Sequence, residues 1–231
     1  MILKSKILSF TFIIASLVMM SASCEGKHSE IDLDNLPDPI KIDLRSSETE
    51  MVSSDQSFAF NFLANVYAEE LVDEDNSFMV SPLSLSMALA MTMNGAEGET
   101  KSAMQETLNL KEFTSDEINS YYKKLKEALL ATDPSTKLSI ANSIWTNQNV
   151  SIKDEFIRKN SEYFNSTVQS VNFGDNKTVE LINNWASNNT NGLIEKVIDS
   201  TKPEDLMYLL NAIYFKGIWT SEFKKNNTNK K

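Results

Sequence analysis

The sequence predicts an α+β fold, because segments with helical spacing fill its first half and segments with strand patterns come later. Apolar residues recur every three or four positions in several stretches between residues 57 and 130. Residues 138–145 alternate between apolar and polar side chains, and residues 206–215 are apolar on both faces. With a short strand expected at 167–173, about three strands can be counted, too few to cover so many helical faces. The sequence therefore predicts an incomplete domain.

Length and charge set the first limits on function. The 231 residues are 41% hydrophobic and 23% charged, which is ordinary for a folded protein and enough for one or two domains. The formal net charge is −10 at pH 7. Because a surface this acidic repels a phosphate backbone, we expect no nucleic-acid partner.

Residues 1–23 predict a signal peptide. Two lysines precede an apolar stretch that ends in small residues. The string Ser21-Ala-Ser-Cys24 is similar to the lipobox of bacterial lipoproteins, although Ser21 departs from the aliphatic residue usual there. We therefore expect an exported bacterial protein, extracellular or at the outer cell surface, with a lipid on Cys24 that contacts the membrane. The alternative is ordinary cleavage near Ser23, which leaves a thiol with no second cysteine for an internal disulfide.

Residues 24–56 predict a disordered acidic tether. Nine of them are acidic, two are prolines and few are apolar. We expect the folded domain at residues 57–223 and a polar tail at residues 224–231. The domain begins with a helix whose apolar side chains lie mainly on one side: Phe58, Phe60, Phe62, Leu63, Val66, Tyr67 and Leu71.

The segment 81–95 predicts a buried helix. Ser81 can cap the first turn, Pro82 fits the first helical position, and Asn94-Gly95 predicts a left-handed stop. Between these ends the segment has no polar face apart from small hydroxyls. A helix of this kind belongs inside the protein.

The remaining helices follow from similar local signals. The spacing of Thr114 and Glu117 has capping-box form. Helical spacing returns later in the chain and stops at an Asn-Gly pair. We expect these helices at Glu99–Leu110, after Thr114, from Ser151, and from Val179 until Asn191-Gly192.

The residues needed for enzyme chemistry are absent or scattered. His28, the sole histidine, lies in the expected tether, so we expect no Ser-His-Asp or Cys-His arrangement. One histidine and one cysteine leave no convincing metal site, and the six glycines fit no nucleotide-binding motif. Ser221-Glu-Phe-Lys224 has the Ser-x-x-Lys form of penicillin-binding enzymes without its companion strings. We expect no enzyme activity and no cofactor.

Three strings together resemble the serpin family of protease inhibitors. Asn76-Ser-Phe-Met-Val-Ser-Pro-Leu-Ser84, with its helix ending at Asn94-Gly-Ala96, is similar to the opening helices of that family. Asn211-Ala-Ile-Tyr-Phe-Lys-Gly-Ile-Trp219 is similar to the third strand of its large sheet, and Ala141-Asn-Ser-Ile-Trp145 resembles the second. The resemblance runs from about Ser57 to Phe223 and implies the N-terminal half of a serpin, with many helices packed on part of a large, mainly antiparallel sheet.

The resemblance implies inhibition by loop insertion. In serpins a target serine or cysteine protease cleaves an exposed reactive loop, which inserts into the opening sheet and traps the acylated protease. Ser81, Ser84 and Asn211 match the family's shutter, and Trp219 matches its breach, where insertion begins. A buried amide without partners costs about 2–7 kcal/mol, and Ser81 and Ser84 could supply partners to Asn211. The alternative is a helix cap, a neutral helix serine, a locally satisfied strand amide and a core tryptophan.

No string after Phe223 resembles the remaining strands or the reactive loop of the family. We therefore expect a truncated serpin that lacks the reactive loop and does not inhibit by itself. One alternative is a non-inhibitory, surface-anchored binding protein with a serpin-like fold, and another is an unrecognised hydrolase.

Overall fold

The computed structural model describes residues 40–70, 78–133, 135–217 and 219. The expected signal peptide, Cys24 and the expected polar tail lie outside these residues. The described chain forms six helices and three strands in this order: α1 (Ser46–Glu70), α2 (Pro82–Met93), α3 (Gly98–Thr107), α4 (Ser115–Thr132), β1 (Lys137–Asn147), α5 (Asp154–Phe164), β2 (Ser166–Val171), α6 (Asn176–Asn189) and β3 (Met207–Lys216).

The three strands form one mixed sheet in the order β2-β1-β3. β1 and β2 are parallel, with Asn142 opposite Ser166, and α5 makes the crossover that a parallel pair requires. β1 and β3 are antiparallel over a longer register, in which Asn142 faces Asn211. Because residues 206–215 are apolar on both faces, the sequence predicts a central strand there, but among the described residues β3 pairs with β1 alone and β1 is the central strand.

The first helix begins well before the expected domain boundary. We expected a disordered tether up to residue 56, but α1 starts at Ser46. Glu48 and Met51 are buried, and with Asp55 and Phe58 they form a stripe at helical spacing. The tether prediction is therefore wrong for residues 46–56, because some of these side chains face the core and not solvent.

The expected apolar side of α1 is only partly buried. Phe58 is buried, and Phe62 packs partly buried against the same core. Phe60, Leu63 and Tyr67 are exposed, although we placed them with Phe58 on one face. Residue 71 lies outside the described chain.

Helix α2 is buried as predicted, but it ends differently. None of its residues is exposed, and Ser81 caps its first turn. Asn94 has φ −64°, so the predicted left-handed stop at Asn94-Gly95 is wrong. A Cβ on Gly95 would lie 3.0 Å from the Phe156 ring, so the glycine permits the close approach of α5.

The predicted capping box at α4 is confirmed. The Thr114 side chain accepts from the Glu117 backbone, and the Glu117 carboxylate accepts from the Thr114 N–H. The prediction that Ser151 starts the next helix is wrong, because α5 begins at Asp154 after Lys153, whose side chain makes no capping bond. Helix α6 ends just before Asn191-Gly192, where we expected the helix to stop, and these two residues have left-handed conformations with φ 53° and 78°.

Buried apolar side chains lie on both faces of the sheet. The larger cluster joins helices α1, α2, α4 and α5 to Ile140 and Ile144 of β1. The smaller cluster places Trp145, Phe173 and Ile182 on the other face, beneath α6. Among the helices of the described residues, none combines the length and apolarity that a membrane span requires.

Candidate functional site

A cleft of about 510 Å³ lies between the start of α2 and β3. Ser81 and Ser84 line it from the helix side, and residues 208–211 line it from the strand. The other lining side chains are Phe62, Val80, Leu85, Ala88, Val197 and Ile198. The structure therefore brings the three shutter-like residues of the sequence, Ser81, Ser84 and Asn211, to one cleft, and we call it the α2–β3 cleft.

The two serines bond to each other. The Ser84 hydroxyl donates to Ser81 Oγ at 2.9 Å, and the Ser84 backbone N–H donates to the same oxygen at 3.3 Å. The second bond is the N-cap bond that satisfies a free amide of the first helical turn. The interpretation of Ser81 as a helix cap is therefore confirmed.

Asn211 finds its partner on the neighbouring strand. Its Nδ2 donates to Asn142 Oδ1 at 2.8 Å and lies 3.7 Å from Met87 Sδ. Its Oδ1 is buried and has no hydrogen-bond partner among the described residues. The expectation that Ser81 and Ser84 supply its partners is therefore wrong, because Asn142 faces Asn211 in the strand register.

Asn142 extends this contact through the sheet. It is 1% exposed, and its Nδ2 donates to the Phe164 carbonyl at the end of α5 at 2.8 Å. One chain of amides thus links β3, β1 and α5. The sequence analysis gave Asn142 no role, and the signal that could have found it is an asparagine within each of the two segments that resemble strands of the large sheet.

Trp219 and Cys24 are the two remaining candidate site residues. Trp219 follows β3 and is 66% exposed, and it is not one of the residues that line the α2–β3 cleft. Cys24 lies outside the described residues. Neither the breach role of Trp219 nor the lipidation of Cys24 is tested by this geometry.

A second buried amide cluster joins three helices. Asn94 at the end of α2 exchanges hydrogen bonds with Asn119 of α4 at 2.8 and 3.1 Å. Its Nδ2 also lies 3.2 Å from Asn160 Oδ1 on α5, whose own Nδ2 donates to the Phe156 carbonyl. Asn119 and Asn160 are fully buried. This cluster, which the sequence analysis missed, connects the end of α2 to α4 and α5.

Two carboxylates of α1 have opposite environments. Glu48 is buried and lies 2.7 Å from the Arg45 guanidinium and 2.6 Å from Lys124 Nζ. The hydrogen bonds from Arg45 and then Lys124 lower the pKa of Glu48 to about 2. Asp55 accepts hydrogen bonds from the hydroxyls of Tyr121 and Tyr122 at 2.6 and 2.8 Å. Burial raises the pKa of Asp55 above its usual 3.8, although the two tyrosine bonds oppose that shift.

The α2–β3 cleft contains amides, hydroxyls and apolar side chains. The one titratable side chain that lines the cleft, Tyr208, donates its hydroxyl hydrogen to Asp205 at 2.6 Å, and this bond raises the pKa of Tyr208 to about 12. In the described part of the chain, no three His, Cys, Asp or Glu side chains come together as metal ligands. The cleft is therefore a site of packing and hydrogen bonding.

The chain was compared with protein families, curated proteins and solved structures. A family model described as "Serpin (serine protease inhibitor)" matches residues 53–231. Human neuroserpin is 32% identical over 158 residues, covering 67% of this chain and 38% of the relative. Mouse corticosteroid-binding globulin is 30% identical over 184 residues, covering 79% of this chain and 46% of the relative.

A solved structure gives the same result at the level of the fold. The thermophilic serpin Tengpin in its latent state superposes with a TM-score of 0.69 at 31% identity, covering 81% of this chain and 48% of that chain. The chain thus spans less than half the length of each of these three proteins.

In the described residues, helices packed on a mixed sheet define an α+β protein, and its fold is similar to that of the serpin Tengpin. The chain belongs to the serpin family.

Proposed function

We propose that this chain is the N-terminal part of a serpin-type inhibitor of serine or cysteine proteases, which acts by reactive-loop insertion and covalent trapping. The observation that carries the proposal is the α2–β3 cleft, where Asn211 faces the start of α2 in a chain of the serpin family. In this proposal the reactive loop inserts along the edge of β3 that β1 does not pair, and the Asn142–Asn211 bond helps to keep β3 on β1. Ser81, Ser84 and Asn211 act as the shutter, and Trp219 as the breach.

The unpaired side-chain oxygen of Asn211 supports the proposal that the cleft is part of a larger domain. Its buried Oδ1 has no donor in the described residues, and a buried acceptor without a donor is destabilising. The hydroxyls of Ser81 and Ser84 are engaged with each other. A donor from the rest of a complete serpin domain would satisfy this oxygen, and in this proposal the cleft belongs to the larger domain.

The partner in this proposal is a target protease, and the inhibitor itself is not an enzyme. Because the chain spans less than half of its relatives, the protease-trapping activity is assigned to the complete protein. We further propose an exported protein held at the membrane by a lipid on Cys24, with residues 1–23 removed. Mass spectrometry of the mature N-terminus from the membrane fraction tests both points, and an unmodified Cys24 would contradict the anchor.

Inhibition is tested on the product of the complete reading frame. The locus is sequenced beyond the codon for Lys231, and the complete reading frame is expressed and incubated with serine and cysteine proteases. We expect a covalent complex with one protease that survives denaturing gel electrophoresis. The 231-residue chain serves as the control and forms no such complex. Cleavage of the complete protein by every protease without a complex would overturn the proposal.

A second candidate function is binding without inhibition. It is favoured by one observation, since a relative at 30% identity is named corticosteroid-binding globulin. In that case the complete protein is cleaved by proteases without forming a covalent complex and retains a ligand through purification.

A further inference from the structure

A separate pocket of about 220 Å³ lies between α1, the first turn of α2 and α4. It is apart from the α2–β3 cleft, and no residue lines both. Its walls are mainly apolar, with Val52 and Ala59 from α1, Leu83 from α2, and Leu125 and Leu129 from α4. Asp55 also lines it, and we call it the α1–α4 pocket.

The volume of this pocket sets the size of a ligand. An apolar cavity of about 150 Å³ in a protein holds benzene. The α1–α4 pocket is somewhat larger, at about 220 Å³. It therefore accommodates one aromatic ring or a short alkyl chain with one or two further heavy atoms.

The charge of Asp55 sets the chemistry of that ligand. Its two oxygens accept hydrogen bonds from the neutral hydroxyls of Tyr121 and Tyr122, which are 2% and 1% exposed. Among the ion pairs of the described residues, none includes Asp55. Glu48, on the same helix, has two cationic partners.

A cationic ligand complements this pocket. A partly buried carboxylate without a counter-ion favours a nearby positive charge, and the ring of a tyrosine attracts an ammonium group as well. An apolar body fills the rest of the space. We propose that the α1–α4 pocket binds a small organic amine, with its ammonium group at Asp55 and its apolar body between α1 and α4.

Three probes of similar size test the charge requirement on the full 231-residue chain. Benzylamine carries an ammonium group at neutral pH, benzyl alcohol is neutral and benzoate is an anion. Binding is measured by calorimetry and by ligand-observed saturation-transfer NMR. We expect benzylamine to bind at least about tenfold more tightly than benzyl alcohol, and benzoate not to bind. Equal binding of benzylamine and benzyl alcohol, or no binding of benzylamine, would overturn the proposal.

Two variants and a matched control locate the site. Asp55→Asn keeps an oxygen for one tyrosine hydroxyl and should remove the preference for benzylamine, whereas Ala59→Leu should abolish binding of both probes by filling the pocket. Glu69→Gln removes one negative charge, as Asp55→Asn does, but at an exposed position of α1, so it should leave binding unchanged. Circular dichroism checks the fold of each variant. If Asp55→Asn does not fold, binding of the three probes to the wild type and to Ala59→Leu tests the proposal instead. Unchanged amine binding in a folded Asp55→Asn or Ala59→Leu protein refutes the site.

Discussion

Replacement of Asn142 by alanine tests the amide chain beneath the α2–β3 cleft. In the variant, Asn211 Nδ2 loses its 2.8 Å acceptor and keeps only the distant Met87 sulfur. A buried polar group left without a partner costs about 1–3 kcal/mol. The Phe164 carbonyl loses the hydrogen bond from Asn142 but still accepts one from Lys126 Nζ at 3.2 Å. It is therefore not left without a partner, and we add no second cost for it. We expect the free energy of unfolding to fall by about 2 kcal/mol.

The companion variant Asn211→Ala should behave differently. It leaves Asn142 Oδ1 without its donor, but it also removes the buried Asn211 Oδ1 that has no partner in the described structure. These two effects are of similar size and opposite sign, so we expect a change near zero. The double variant should cost less than the sum of the single variants, with a coupling of about 1–2 kcal/mol.

The assay is urea unfolding of the full 231-residue chain, followed by tryptophan fluorescence, to which the buried Trp145 contributes together with Trp185 and Trp219. Trp145 is 1% exposed and lies on β1, three residues after Asn142. Asn149→Ala, in an exposed turn, is the control and should leave stability unchanged. A larger loss for Asn211→Ala than for Asn142→Ala, or strictly additive losses, would refute the assigned bond pattern.

Three further predictions concern the helices. Glu48→Gln should cost about 1.5–3 kcal/mol at pH 7. Because the pKa of Glu48 is lowered to about 2 from 4.5, that stability is present above pH 4.5 and lost as pH falls toward 2. The gap between wild type and variant in urea titrations should close over this range, and a constant gap would contradict the ion pair. Gly95→Ala should lower stability by about 1–3 kcal/mol through contact with Phe156, and Phe156→Leu in the same chain should restore part of it in thermal melts. Thr114→Ala should cost about 1 kcal/mol and Thr114→Ser much less, and equal losses would argue against the capping box with Glu117.

Local chemistry made some helix ends predictable. The caps at Ser81 and Thr114 are bonds between side chains and backbone within four residues, so the sequence contains all the groups involved. The start of α1 could not be read in this way. Glu48 is buried between Arg45 and Lys124, and because Lys124 lies 76 residues later in the chain, composition alone places this acid in solvent.

The sequence predicted residues that line the candidate site but not which of their side chains bond to each other. Ser81, Ser84 and Asn211 came from the family resemblance, and the structure places them around one cleft. Which amide bonds to which depends on the register of β1 and β3, and that register is fixed by contacts far apart in sequence. The same reason hid the amide cluster of Asn94, because its partners lie on two other helices.

The pairing of β1 with β3 also sets an order of events during synthesis. Asn142 and Asn211 are 69 residues apart, whereas β2 follows β1 after a single helix. At about 5–20 residues per second, a ribosome needs roughly 3–14 s to pass from one asparagine to the other. Throughout that interval α2 and the β3 side of β1 have no strand to cover them, so the nascent chain exposes an apolar surface. Occupancy of this surface by chaperones should therefore peak before β3 leaves the ribosome and fall once β3 pairs.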